Sequence, residues 1–593
     1  MSVTSGIQQA VIKALAQLYS QPFSAKDFQI NQTKPEFEGD YTVVLFSLLK
    51  PLKQSPDALG KAMGVHLIET HPSLFSSFNV IKGFLNLTIT DAYWVAVLND
   101  EYMNTAYGKK EKKGKTIVVE YSSPNTNKPL HLGHLRNNFL GWSVAEILKA
   151  DGYDVVKTCI ANDRGIHICK SMVAWQNFAN GATPESTGMK GDHFVGDYYV
   201  QFGTEFKKEV QALKAAGMNE EAAEKEAPIM KAAQQMLVDW EAGKPDVIAL
   251  WKKMNSWVYA GFDVTYKRIG SDFDKMYYES DTYLLGKKLV EEGLQKGVFF
   301  TKDDNSVWVD LTAEGLDEKI VQRKDGTAVY ITQDIGLAVN KYEAYQYDQS
   351  IYVVGDEQNY HGKVLILICE KLGLPSSEGI YHLSYGMVEL PSGRMKTREG
   401  TVVDADDIID EMIKVAAQKT EELGKVKDFT VEELGKLYNT IGLGALKFFI
   451  LRVDPRKRMI FNPEESIDFH GFTASFVQFS HARAKAILRN ERPDNDFALQ
   501  HSEALLPLEK ELIILLEKYP AAIQQAAFEH NPSVIVNYCY ELAKTFNSFV
   551  TEHRVLKAET GNKKQLRLRI CQMTANVIAS GMGLAGIEVP ERM

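Results

Sequence analysis

The sequence predicts an α/β protein in three parts: a small α/β unit, a central parallel sheet covered by helices, and an all-α carboxyl-terminal region. Three observations point there. Thr116-Ile117-Val118-Val119-Glu120 is an unbroken, largely β-branched apolar run, as expected of a strand buried on both faces. A long helical pattern over 132–150 and a second apolar run at 154–160 follow it, which gives a βαβ unit of the Rossmann-like kind. From about residue 405 onward helical spacing dominates.

The composition is that of a globular chain. It has 593 residues, 45% hydrophobic and 24% charged, enough apolar content for several cores. Disordered and collagen-like classes are excluded on that count. Apolar runs such as 364–369 fall far short of the ~18 residues of a membrane span. The opening Met1-Ser2-Val3-Thr4-Ser5-Gly6 lacks a basic region followed by an apolar one, so neither a secretory leader nor a membrane partner is expected. The five cysteines, at 159, 169, 369, 539 and 571, form no Cys-x-x-Cys pair. Their scatter suits a reducing, cytoplasmic location and argues against a zinc site.

The net charge is −10, yet basic runs stand at 109–115, 452–458 and 563–569. Each reads first as a solvated surface; a nucleic-acid face is the alternative. Residues 1–110 form the small α/β unit, with a helix over 7–18 and apolar stretches at 41–49 and 84–87. The run at 109–115 reads as an exposed linker. The parallel-sheet unit spans 115–410, interrupted by a helix-rich insertion at about 181–300. A further strand at 351–354 ends on Gly355-Asp356. Residues 411–593 are helical.

Two constellations carry chemistry. The first, Pro124-Asn125-Thr126-Asn127-Lys128-Pro129-Leu130-His131-Leu132-Gly133-His134, lies between a buried strand and a helix start. His131 and His134 project from neighbouring positions on one face. The helix N–H groups and dipole favour an anion there, and Gly133 leaves room for a flat base. Two ring N–H donors would stabilise charge developing on a phosphate. A histidine cap beside a core histidine is the alternative. The second, Gly393-Arg394-Met395-Lys396-Thr397-Arg398-Glu399-Gly400, gathers three cations between glycines. It suits a mobile loop closing over a polyphosphate, or else a basic surface turn.

In this order, followed by a helical carboxyl end, the two resemble the signature motifs of the class I aminoacyl-tRNA synthetases. The flanks narrow the resemblance to the arginyl-tRNA synthetases: Glu120-Tyr121-Ser122-Ser123-Pro124-Asn125, His131-Leu132-Gly133-His134-Leu135-Arg136, Ala161-Asn162-Asp163-Arg164-Gly165 and Phe476-Val477-Gln478-Phe479-Ser480-His481-Ala482-Arg483-Ala484. Gly39-Asp40-Tyr41 and Gly83-Phe84-Leu85-Asn86 are similar to that family's amino-terminal domain, and Glu591-Arg592-Met593 to its usual ending. The resemblance covers nearly the whole chain.

The resemblance implies an arginine–tRNA ligase that forms arginyl-adenylate from ATP and L-arginine and passes the arginyl group to tRNA(Arg). ATP with Mg²⁺ would be the cofactors, no metal would be held by protein ligands, and the chain would act as a monomer. The second signature of the class usually carries a lysine where this chain has Thr397; many arginyl enzymes share this departure and supply a compensating lysine just upstream of the first motif, and Lys128 stands in that place. The implied catalytic set is therefore His131, His134 and Lys128, with Lys396 and Arg398. The ATP set is His131, Gly133, His134, Gly355, Asp356, His361, Met387, Val388 and Met395. The arginine set is Glu120, Asn125, Tyr330, Asp334 and Gln358, in which Asp334 suits a guanidinium's planar fork of donors. The tRNA set is Gln478, Arg483, Phe546 and Met593, drawn from helices that mix cations with aromatics, onto which splayed bases would stack. Two rivals remain: a ligase of the same fold that makes an adenylate without RNA, and a non-catalytic RNA-binding relative.

Overall fold

A computed structural model describes residues 2–283, 285–327, 329–389, 404–422, 424, 428–500 and 503–593. Its centre is a five-stranded parallel sheet. The strands are β1 (Thr116–Glu120), β2 (Asp154–Ala161), β3 (Lys275–Tyr278), β4 (Gln349–Gly355) and β5 (Ile380–Tyr385). They lie in the order β5-β4-β1-β2-β3, all parallel. The chain winds one way from β1 through β2 to β3 and the other way from β4 to β5, so the switch point falls between β1 and β4. A ligand crevice in such a sheet opens there, outside the strand carboxyl ends.

The helix α1 (Leu132–Ala150) makes the crossover from β1 to β2. Its close seat depends on Gly141, where a Cβ would stand 2.3 Å from Cβ of Tyr121. The basic run at 109–115 is clamped across the far end of α1: Lys110 and Lys113 pair with Asp151 at 2.7 and 2.6 Å, and Lys112 pairs with Asp154.

The insertion differs from expectation. Helices including Ile166–Phe178, Gly191–Ala215 and Pro245–Ile269 do separate β2 from β3. Residues 275–278 then return to the sheet, so the stretch 181–300 is not one insertion. A three-stranded antiparallel sheet (Phe299–Thr301, Val307–Val309, Lys319–Gln322) follows before β4. Lys275-Met276-Tyr277-Tyr278 carries no continuous aliphatic run, because it forms an edge of the sheet and needs less burial.

The amino-terminal unit is a four-stranded antiparallel sheet backed by the helices Val3–Tyr19 and Pro56–Thr70. It docks on the carboxyl-terminal helices. Lys510 pairs with Asp40 at 2.8 Å, Tyr102 donates to Asn495, and the backbone N–H of Val3 donates to Glu517 at 2.7 Å. Within the helical region Lys563 and Arg567 converge on the fully buried Glu509. The run at 563–569 is therefore partly an internal ion cluster and not a solvated face.

Candidate active site

At the switch point Glu120 ends β1 beside Tyr352 of β4. The loop from 121 to 131 crosses this point in an uncommon conformation, with Ser122 and Ser123 at φ of 79° and 46°. Buried polar groups hold it. Asn137 accepts from the Ser122 N–H at 2.5 Å and donates to the Val353 carbonyl of β4, while Asn138 and Tyr266 bond the Ser122 hydroxyl. Further along, Asn162 donates to the Pro124 carbonyl and Thr126 donates to the Asn162 carbonyl. Sequence reasoning passed over Asn137 and Asn138. Their signal is chemical: adjacent asparagines within a helix are unfavourable unless their amides bond something else.

The loop delivers His131 as the N-cap of α1. His131 Nδ1 accepts from the Gly133 N–H at 3.1 Å, and His134 Nδ1 accepts from the His131 N–H at 3.1 Å. The ring centroids lie 4.0 Å apart. Because both Nδ1 atoms accept, each neutral ring carries its proton on Nε2. Burial, with the charge of Lys128, pushes His131 down to about 3 and holds His134 well below its usual range. Burial also lowers Lys128, whose ammonium has no carboxylate partner among the described residues. Two neutral N–H donors and a cation thus gather at a helix start, with no carboxylate bonded to the cation among the described residues.

Of the carboxylates expected for arginine, Glu120 ends β1 and Asp334 lies on the helix Tyr330–Tyr345. Glu120 is 6% exposed, and its Oε2 takes the ammonium of the fully buried Lys341 at 2.6 Å. Lys341 lies over the Tyr352 ring at 4.3 Å. Tyr330 and Asp334 stand one turn apart on the helix Tyr330–Tyr345, with Tyr330 68% exposed. Asn125 and Gln358 are exposed at the rim. His361, expected on the nucleotide side, has its Nε2 2.5 Å from Asp334 Oδ2, and that bond raises its pKa.

A cavity of about 620 Å³ opens beside Tyr330, lined also by Arg164, Glu279, Tyr283, Arg323 and Gln333. Glu279 is a carboxylate that the sequence did not disclose. It follows Tyr278 at the carboxyl end of β3, so its position became visible only with that strand. Burial, reinforced by Asp163 and Asp334 and opposed by Arg164, pushes it up to about 7. Arg164 is held between the Tyr283 ring at 4.1 Å and Glu241 at 2.9 Å.

Of the residues expected for ATP, Gly355 ends β4 and Asp356 follows it, and a Cβ on Gly355 would lie 3.6 Å from Met387 Sδ. Val388 opens the short strand β6 (Val388–Glu389), which runs parallel to β7 (Met459–Ile460). Met395, Lys396 and Arg398 lie outside the described residues. Among the described residues one cluster has metal-ligand spacing, His193 with Asp404 and Asp406. The Lys190 ammonium, 2.7 Å from Asp406, already neutralises it, which leaves the donor set a poor cage for a cation.

Two of the four expected tRNA contacts are corrected. Phe546 is 0% exposed in the helical core, so it presents no face to a base. Gln478 is also 0% exposed and donates to the carbonyls of Thr440 and Glu588, which pins the chain's tail to the helix Ala474–Asn490. Arg483 donates to Asn547 at 3.2 Å, and Met593 packs against the core while partly exposed. No helix among the described residues is long and apolar enough to cross a membrane.

Comparison with known proteins agrees with this fold. Residues 97–462 match the model of the class I (R) tRNA synthetase catalytic domain. Residues 5–89 match the arginyl-tRNA synthetase N-terminal domain, and 477–593 the DALR anticodon-binding domain. Proteins of Bacteroides thetaiotaomicron and Flavobacterium psychrophilum, both named arginine–tRNA ligase, are each 51% identical over the full length of both chains. Among solved structures, Thermus thermophilus arginyl-tRNA synthetase superposes with a TM-score of 0.81 at 23% identity, covering 99% of this chain and 100% of that one. The Plasmodium falciparum arginyl-tRNA synthetase gives 0.76 at 16% identity, covering 100% and 99%. The chain belongs to the arginyl-tRNA synthetases, a family of the class I aminoacyl-tRNA synthetases.

Proposed function

We propose that this chain is an arginine–tRNA ligase: it activates L-arginine with ATP and transfers the arginyl group to the 3′-terminal adenosine of tRNA(Arg). The observation that carries this reading is the His131–His134 pair. Backbone N–H groups fix both Nδ1 atoms, so both Nε2–H donors are presented together where β1 gives way to α1.

In the first step an arginine carboxylate oxygen bonds to the α-phosphorus while the bond to the bridging β-phosphate oxygen breaks, releasing pyrophosphate. The chain contributes position and charge. His131 and His134 donate to phosphate oxygens as negative charge builds on them, and Lys128 offsets the charge of the leaving group. Lys396 and Arg398 extend the cationic set. Asp334, with Glu279 behind it, takes the guanidinium, and Tyr330, Gln358 and Asn125 close the rim. Mg²⁺, bound with the ATP phosphates, would supply charge neutralisation there. In the second step a ribose hydroxyl of the tRNA attacks the arginyl carbonyl carbon and AMP leaves. The amino-terminal unit and the carboxyl-terminal helices serve tRNA, with Arg483 and Met593 as contacts. Five free, buried cysteines support work in a reducing cytoplasm, and the chain acts as a monomer.

Charging unfractionated tRNA with each of the twenty amino acids in turn tests the reading. Arginine alone should be esterified. Arginine-dependent ATP turnover indifferent to tRNA would transfer the assignment to an RNA-independent ligase. Binding of tRNA without charging would leave only an RNA-binding protein.

A further inference from the structure

The basic run at 452–458 has no part in the function derived so far. It joins the helix Val431–Leu451 to β7, and the structure brings it against the nucleotide side of the crevice. Its backbone is fixed from several directions. Arg136, two residues beyond His134 on α1, donates through Nη2 to the carbonyls of Pro455 at 3.0 Å and Lys457 at 2.7 Å. The Gly386 N–H donates to the same Pro455 carbonyl at 2.9 Å, and the Met459 N–H donates to the Met387 carbonyl at 3.2 Å. At Gly386 the two segments touch backbone to backbone, since a Cβ there would lie 2.6 Å from the Arg458 nitrogen. The segment is thus riveted both to the helix that bears the histidines and to the strand that leads into the second basic motif.

From this fixed backbone the Arg458 side chain, 56% exposed, reaches back to Asp356, with Nη2 at 3.5 Å from Oδ2. Asp356 stands directly after β4 at the switch point, and its other oxygen, Oδ1, is buried without a hydrogen bond. An acid in that position faces a conflict. A polyanionic nucleotide entering the crevice meets a like charge, and a free carboxylate can turn its unsatisfied oxygen away from the ligand.

We propose that Arg458 is a positioning residue for the nucleotide: it neutralises Asp356 and fixes that carboxylate at the end of β4 so that ATP meets an oriented acceptor in place of a repelling anion. This rests on the nucleotide reading of the crevice. Arg458 acts through Asp356, so its loss reaches ATP binding and leaves the arginine pocket and the chemical step untouched.

The test measures ATP·Mg²⁺ binding to the full chain by calorimetry, together with steady-state charging of tRNA. Arg458→Ala should weaken ATP binding, and raise the ATP KM, by roughly tenfold, a size typical of coupled neighbours, with kcat and the arginine KM within about twofold of wild type. Arg458→Lys, which keeps the charge, should recover most of the loss. Asp356→Asn combined with Arg458→Ala should be no worse than the weaker single variant, because both remove the same device. ATP binding by Arg458→Ala within twofold of wild type, or losses that multiply in the double variant, overturns the proposal. A wild-type chain that binds ATP but charges no arginine overturns the assigned function and leaves this proposal to the variants. A wild-type chain that binds no ATP overturns both.

Discussion

Replacing His134 with alanine separates the chemical from the structural work of one ring. The ring has two uses. Its Nδ1 accepts the His131 N–H at 3.1 Å, as part of the helix cap, and its Nε2–H is the donor proposed for phosphate. Loss of the cap costs about 1 kcal/mol of stability. Loss of a donor aimed at developing charge costs about 2.7–4 kcal/mol at the transition state, or roughly 10²–10³-fold in kcat. Asp334, Tyr330 and Glu279 are not altered, so the arginine KM should stay within about twofold. His134→Gln refines the test. A glutamine three residues past the N-cap can bond back to the cap N–H, so it should restore most of the melting temperature while kcat stays depressed. The assay is arginine- and tRNA-dependent ATP–pyrophosphate exchange, run beside thermal melting of each variant. A kcat within tenfold of wild type for His134→Ala, or a loss carried mainly by the arginine KM, would refute the transition-state role of the ring.

Three further outcomes are expected. Glu279 titrates at about 7, so it is neutral at pH 6 and ionised at pH 8; the wild-type arginine KM should fall across that interval, and Glu279→Gln should abolish the fall, with about a tenfold higher KM than wild type at pH 8 and little difference at pH 6. A pH-independent wild-type KM would remove Glu279 from the pocket. Lys341→Met strands the buried Glu120 carboxylate and should destabilise the catalytic unit by about 3–5 kcal/mol in denaturant unfolding, with Glu120→Gln recovering much of it in the double variant; unchanged unfolding would mean water reaches the pair. Gln478→Ala strands the carbonyls of Thr440 and Glu588 and should cost about 1–3 kcal/mol of stability while the tRNA dissociation constant of the folded protein holds; weaker tRNA binding at full stability would reinstate Gln478 as a contact.

Much of the catalytic unit was legible in the sequence for a physical reason. β1 lies in the middle of a parallel sheet, so burial on both faces demands the unbroken run from Thr116 to Glu120, and Gly152 marks the turn after α1. β3 lies at the edge, escapes that demand and shows no pattern, and Glu279 was hidden along with it. His131 and His134 were legible because spacing at a helix start fixes their relation, but the tautomer of each depended on backbone donors that only the folded loop supplies. The carboxyl-terminal helices show the opposite limit. Their periodicity is plain, yet it does not say that Phe546 points inward or that Arg567 meets Glu509, since aromatic and cationic residues serve cores and surfaces alike. His361 entered the nucleotide set because sequence order places it after Gly355-Asp356; its bond to Asp334 became visible only in the fold.

The contact between Val3 and Glu517 spans 514 positions of the chain. During synthesis the first hundred residues leave the ribosome long before Lys510, Glu517 and Asn495 exist to receive them. At about 5–20 residues per second the wait is roughly 25–100 s. Through that interval Tyr93, Tyr102 and Tyr107 lack their eventual neighbours, and Asp40 has no Lys510. The amino-terminal sheet must therefore hold together unaided while its seat is still being translated, and a chain stalled short of the last helices would leave that tyrosine-rich face open to chaperones and proteases.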